Sequence, residues 1–548
     1  MKILLYVIGI LGPLSLSVPG IHSNLQASVS ASRAGQETPV IQFPTLGSQA
    51  EGEAVLLAID DHSLAIKRNL CFYISKPNVR KEPVLKPSRD NPSAPDHLGA
   101  TCYGTVLFDE GLFRMWYYPL HYGSDPLDLK QGPVSYAESD DGINWVRPNL
   151  GQVEVKGSRD NNALKLADVI TQAALVIKDD REPDPKQRYK MVYNAHNGKP
   201  RNSEGIPGGW VFRTATSPDG IHWTCSPDFA IDQFIEISSF YRHNGLYVVN
   251  GQGLERGEGG GLQGRQGISR ISTDFTSWLG ETTRAFALPE PDNAADRGRT
   301  KPYDQVHLGV GGKSLGNVVV GVYGLWHNEP GDTTRNIPNA WFGYGKTSCD
   351  LGLVVSNDGL HFREPVKEHV FLSRFDSPVT PVEGQSYPTA LCQSGNAILN
   401  VGEETWIYHG RWRNAMYGMD YWSEIALATL PRDRWGALGV YPNQTEGAVW
   451  SAPVRLPQSA STVALNADAA GAIQVEVADA RFQLLADFSG NQSGRTDSAG
   501  GLDCPVSWPK GSLETLEGKT VRFRFRLTKS EDVDPRLYAV YIRAGHRP

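Results

Sequence analysis

The chain has 548 residues, more than one compact domain normally holds, and a formal charge of −7 at pH 7. No polybasic block breaks that balance, which excludes nucleic acid as a partner. Its 57 glycines, 36 prolines and 9% aromatic residues suit a turn-rich β protein.

Met1-Lys2-Ile3, followed by mostly apolar residues to about Val18, reads as a secretory signal. Gly9, Gly12 and Pro13 interrupt a run already short for a membrane span. The expectation is export to a secreted or periplasmic location, with no membrane association after signal cleavage. Signal and lead-in take residues 1–32 and an N-terminal extension 33–94. The polar, small residues up to about 50 read as a flexible lead-in.

From about 98, short β-prone runs alternate with Gly and Asp turns. Gly104–Phe108 and Phe113–Tyr118 flank the turn Asp109-Glu110-Gly111. After Val134–Ala137 comes the phrase Ser139-Asp140-Asp141-Gly142-Ile143-Asn144-Trp145. It returns as Ser217-Pro218-Asp219-Gly220-Ile221-His222-Trp223 and as Ser356-Asn357-Asp358-Gly359-Leu360-His361-Phe362. A degraded copy reads Ser272-Thr273-Asp274-Phe275-Thr276-Ser277-Trp278. The pattern Ser-x-Asp-Gly-x-x-aromatic marks a tight turn whose aromatic anchors it in a core. Copies at this spacing indicate one supersecondary unit used repeatedly. Five such units fit the strand runs, the fifth holding Ala390–Cys392, Glu404–His409 and Ile425–Leu430. The expected fold class is all-β, a five-bladed β-propeller over 95–457 followed by a C-terminal β-sandwich over 458–548. The sandwich rests on Val521-Arg522-Phe523-Arg524-Phe525-Arg526-Leu527, whose strict alternation puts four apolar residues on one face and three arginines on the other. The stretch Gly251 through Gly267 lacks the strand–GxGxxG–helix context of a dinucleotide site and reads as a mobile loop. Six scattered cysteines contain no C-x-x-C pair, and no histidine spacing suits a metal, so no cofactor or metal is expected. Export permits disulfides, but a domain of this size is stable with buried free thiols.

The repeated phrases, the Phe113–Tyr118 strand and Ile425 through Asp433 resemble, at the level of architecture, the glycoside hydrolases of families 32 and 43 and their relatives. The phrase is also similar to the sialidase Asp-box, one residue shorter. The resemblance implies a carbohydrate substrate, turn phrases away from the axis, and catalytic carboxylates at the heads of first strands. Such chemistry needs one carboxylic acid to protonate the leaving oxygen and one carboxylate to activate water or attack carbon. The acids in those places are Asp96, Asp168, Asp232, Glu236, Asp304 and Glu383. Asp232, Asp304 and Glu383 are expected to converge, with Asp96 and Glu236 as further catalytic candidates. The family signatures Asn-Asp-Pro-Asn-Gly, Arg-Asp-Pro and Glu-Cys-Pro are absent, and Gln233 follows Asp232. Trp406, His409, Arg411, Trp412 and His307 are the substrate-binding candidates, because sugar rings stack on aromatic faces and arginine holds acidic groups. The competing reading is a non-catalytic propeller that binds glycans or a protein.

Overall fold

The computed structural model describes residues 38–122, 129–198, 209–256, 262–286, 308–328, 347–384, 388–413 and 421–545. The signal segment, Asp304 and His307 lie outside the described residues. Strands dominate, and successive antiparallel meanders follow the predicted runs. The first is Gly99–Asp109, Leu112–Tyr122 and Ser135–Ser139. The second is Thr171–Lys178, Tyr189–His196, Trp210–Ser217 and Thr224–Cys225. The third is Glu236–His243, Leu246–Arg256, Leu262–Ser272 and Thr283–Phe286. The fourth is Val310–Ser314, Val319–Asn328, Thr347–Ser356 and Val370–Leu372. The fifth is Ala390–Cys392, Glu404–Arg413 and Trp422–Pro431, with Asn78–Val79 as its outer strand. Residues 251–253 and 262–267 are thus paired strand, not loop. A glycine is required at 251, because a Cβ there would collide with the Glu236 carbonyl.

Each phrase closes the third strand of its meander. In the first copy the Asp141 carboxylate accepts from the Ile143 and Asn144 amides at 2.8 and 2.7 Å, and Ser139 Oγ accepts from the Gly142 amide at 2.9 Å. Asp219, Asp274 and Asp358 repeat these bonds. Gly142, Gly220 and Gly359 hold φ between +71° and +77°, a region that favours glycine. Phe275 takes the same position in the degraded copy at φ +68°, its ring buried against Phe240, Tyr247 and Trp278.

The phrases also join neighbours. Tyr408 Oη of the fifth meander donates to the Gly142 carbonyl at 2.7 Å, and Trp116 Nε1 of the first donates to Gly220 at 2.8 Å. Tyr241 Oη of the third donates to Gly359 at 2.6 Å. Parallel contacts join the fourth meander to the fifth (Cys349 with Ala390) and the fifth to the first (Ser423 with Gly99), so the series closes on itself.

A turn at 393–397 fills the middle. Ser394 Oγ donates to Gly104 O at 2.5 Å, and Gln393 Nε2 to Gly309 O at 2.8 Å. Asn396 Nδ2 donates to Val176 O and Phe240 O at 3.1 and 2.8 Å, and its Oδ1 accepts from the Phe240 amide at 2.7 Å. One short turn thereby bonds to first strands, or their heads, in the other four meanders.

Two further sheets, of seven and six strands, enclose a second apolar core. Val521, Phe523, Phe525 and Leu527 are buried in it, as their alternation predicts. The three arginines on the other face are half-buried, with Arg522 over Phe482 and Arg524 over Trp450. The sheets draw on both ends of the chain. Val40–Phe43 and Ser48–Glu51 form strands where a flexible lead-in was expected, and Glu53–Leu57 pairs with Arg536–Ala544. Gly436–Val440 and Glu446–Trp450 also belong here, so this region begins before the expected boundary at 458. The reason is packing: Ile41, Phe43, Leu56, Leu438 and Val449 are apolar and need that core. All six thiols are unpaired.

Candidate functional site

Strand direction separates two ends of the ring of meanders. First strands start at one end, second strands return to it, and third strands leave it again, so every phrase sits at the opposite end. The starting end is the entry end. Residues 199–208, 257–261, 329–346 and 414–420, which join second to third strands there, fall outside the described residues.

The described candidate acids lie around the entry end in different settings. Asp96 is fully buried: Tyr117 Oη and Arg147 Nε both donate to its Oδ2 at 2.8 Å. Burial pushes the Tyr117 phenol up, and the Asp96 charge adds to this. Asp168 accepts from Arg213 Nε and Tyr193 Oη at 2.8 Å each. These two acids are neutralised by structural arginine pairs. Asp232 is exposed and accepts from Asn197 Nδ2 at 2.7 Å, and Glu383 is exposed on the segment before the fifth meander.

Glu236 differs. It is the first residue of its strand and half-buried, and Gln252 Nε2 on the neighbouring strand donates to its Oε2 at 3.0 Å. A bulge between Ile237 and Ser239 follows directly; bulges re-aim adjacent side chains and gather beside active sites. Its charge reaches Cys392 of the fifth meander. Burial pushes that thiol well above its ordinary range, and Cys102 and Glu236 add to the shift.

Three binding candidates are core residues, contrary to expectation. His409 is fully buried, with Nε2 against Ser377 Oγ at 2.7 Å; burial, then the Arg411 charge, lowers it to about 3. Arg411 donates to Ser377 Oγ at 2.7 Å and to the carbonyls of Lys81 and Arg80 at 2.9 and 2.8 Å, so it clamps the N-terminal extension. Trp406 stacks on Phe113 at 5.6 Å and donates to Glu404. The neighbouring-strand packing that closes the ring consumes these side chains. Trp412 is a core residue too, at the entry end, and its buried indole N–H has no hydrogen-bond partner among the described residues.

Thr171 Oγ1, Gln172 Oε1 and Gln266 Oε1 are buried polar atoms in the same condition, all in the entry halves of their strands. Buried polar atoms are normally satisfied. Trp422 is flanked there by the guanidiniums of Arg89 and Arg413 at 5.2 and 5.1 Å. The sequence reading missed Gln252, Thr171, Gln172 and Gln266. One signal was available: Val192-Tyr193-Asn194 recurs as Val248-Val249-Asn250. Asn194 Oδ1 accepts the Ile237 amide and Asn250 Oδ1 the Val310 amide, each at 2.8 Å and each from the next meander.

No protein-family model matches the chain. Two uncharacterised proteins of Mycobacterium tuberculosis are 27% identical over 164 residues, 28% of this chain and 47% of theirs. The chain thus spans about half the length of the curated relatives it matches. Among solved structures, a glycosyl hydrolase from Bacteroides ovatus gives a TM-score of 0.38 at 16% identity, covering 65% of this chain and 94% of that one. A beta-1,2-mannobiose phosphorylase from Listeria innocua gives 0.39 at 12%, covering 66% and 97%. A GH32 beta-fructofuranosidase from Bombyx mori gives 0.35 at 9%, covering 84% and 94%. Likeness at these scores assigns no activity to this chain.

Proposed function

We propose that the chain is an exported glycoside hydrolase-like protein: a five-bladed β-propeller carrying a β-sandwich, cleaving glycosidic bonds of a poly- or oligosaccharide at the entry end. Glu236 carries the reading. It is a half-buried acid at the head of its strand, held by a neighbouring amide and followed by a bulge. Asp304, at the head of the fourth meander, is the proposed partner carboxylate, because the chemistry needs two such groups. Asp232 and Glu383 are proposed as rim residues, and Thr171, Gln172, Gln266 and Trp412 as contacts to sugar hydroxyls. Export rests on the apolar N-terminal segment. Among the described residues no helix is long and apolar enough to cross a membrane.

The second reading is a catalytically silent glycan- or protein-binding propeller. The arginine pairing of Asp96 and Asp168 favours it, since both are thereby removed from chemistry. A panel of glycans assayed for reducing-end release by the wild type and Glu236→Gln separates the two. Release by the wild type and its loss in the variant support the enzyme. Glycan retention without release by either protein supports the binding module.

A further inference from the structure

We propose that Gln252 is a positioning residue: its amide N–H holds one oxygen of Glu236 while the Leu308 main-chain N–H holds the amide, so that Glu236 is fixed at the head of its strand in its ionised form.

The chain of bonds runs through three meander strands or their heads. Leu308 N donates to Gln252 Oε1 at 2.9 Å, and Gln252 Nε2 donates to Glu236 Oε2 at 3.0 Å. A main-chain N–H can only donate, so the amide oxygen must face Leu308 and the amide nitrogen must face Glu236. The orientation is set by chemistry. Gln252 is fully buried and paired in register with Glu236, so it has little freedom to turn away. An N–H donor stabilises the charged form of a carboxylate over the neutral form.

The backbone around the relay is shaped for it. Leu308 and Gly309 both have positive φ, +66° and +70°. A leucine there is uncommon, and the conformation brings its N–H to Gln252. Gly309 packs on Gly251, where a Cβ would lie 2.6 Å from the Gly251 carbonyl carbon.

A purely structural role accounts poorly for this arrangement. Asn250, two residues earlier on the same strand, already joins the third meander to the fourth through Val310. The second meander uses Asn194 for the same joint, and two residues on it has His196, whose Nδ1 accepts from Gly198 N at 3.1 Å. The second relay therefore exists where a carboxylate heads the paired strand.

Among the described titratable and charged groups on elements packed against the Glu236 strand, Cys392 is raised in part by the Glu236 charge. Lys178, Lys190, Tyr247 and Lys313 lie towards the opposite end, the first three bonded to Asp109, Glu182 and Asp179. Arg213 is paired with Asp168, and His196 is turned to Gly198. Asp232, four residues earlier, binds Asn197.

The kinetic consequence rests on the glycosidase reading; the relay itself does not. The test is infrared titration of the Glu236 carboxyl, identified as the band lost in Glu236→Gln, in the full chain without substrate. Gln252→Met, which keeps the shape and removes the donor, should raise the carboxyl's apparent pKa by about one unit or more. Gln252→Glu, which sets a second acid beside it, should raise it further. On any substrate that the wild type cleaves, the acid limb of the kcat profile should move up by the same amount, with KM changed less than about twofold. A carboxyl that titrates as in the wild type in either folded variant overturns the relay. A shifted carboxyl in a protein that cleaves no glycan upholds the relay and removes the glycosidase reading. Cleavage that needs Glu236, with unshifted titration in both folded variants, does the reverse.

Discussion

The two ends of the ring follow different rules. At the phrase end, four turns use the same atoms in the same roles: a serine hydroxyl that accepts from one amide and an aspartate that accepts from two. At the entry end, among the described residues, the first two meanders share an aspartate held by an arginine and a tyrosine hydroxyl, and the third departs from them. The heads of the first strands hold Asp96 against Arg147, Asp168 against Arg213, exposed Asp232 and relay-bound Glu236. Repetition marks the end that holds the ring together, and irregularity marks the end where a ligand would have to be told from its neighbours.

The largest effect should come from the irregular end. Glu236→Gln should lower glycan turnover on the order of 10²–10⁴-fold with a native melting curve. A variant with near-normal turnover would leave the entry end without its main distinction.

Next is the turn in the middle. Asn396→Ala strips partners from the Val176 and Phe240 carbonyls and the Phe240 amide, each worth about 1–3 kcal/mol when buried. Calorimetry should show a loss of about 3 kcal/mol or more. Phe525→Ala, in the other core, should lose about 3–5 kcal/mol. Unchanged melting of the Asn396 variant would mean that the ring does not depend on its centre.

Smaller effects should distinguish the phrases from one another. Gly142→Ala forces a Cβ into the left-handed region and to within 2.6 Å of the Trp406 ring. Gly111→Ala, at φ +84°, meets nothing within 4 Å. The second should cost about 1–2 kcal/mol for the backbone alone and the first more. Phe275→Gly should relieve its backbone yet destabilise the protein, because the ring it removes is buried in an aromatic cluster.

The smallest effect is a pH dependence. Partial burial opposes ionisation of Asp141 and Asp219, but the turn amides and their other hydrogen bonds outweigh it and hold both at about 2; Asp274, led by the Ser277 amide, is also at about 2. Their folded values lie below the unfolded value of about 3.9. The unfolded chain therefore binds more protons in this window, and the stability they supply is lost as pH falls from about 4 through 2. Asparagine at all three positions should flatten acid unfolding there. An unchanged acid limb would mean that these charges do little.

The legible parts of the chain were those governed by short-range rules. Asp-Gly turns, the alternation at Val521–Leu527 and the strand runs depend on neighbours a few residues away, and the structure follows them. The strands at Val40–Phe43 and Ser48–Glu51, which pair with each other as a hairpin, were missed because the segment is polar by composition and the pairing that joins it to the sheet, Gln42 with Arg455, lies hundreds of residues downstream. His409 and Arg411 misled because a surface-binding motif and a buried clamp share the same residue types; only the carbonyls of Arg80 and Lys81 tell them apart. Glu236 was legible as a strand-head acid, but nothing in the sequence ranked it above Asp232. The ranking comes from Gln252, sixteen residues away across a hairpin.

The pairing of Glu53–Leu57 with Arg536–Ala544 has a consequence for biogenesis. Glu53 and Arg543 are partners 490 positions apart. A chain that emerges N-terminus first has no partner for that early strand until almost its last residues have been made. Such distant pairings form slowly. The delay makes arrival of the tail the event that completes the sheet.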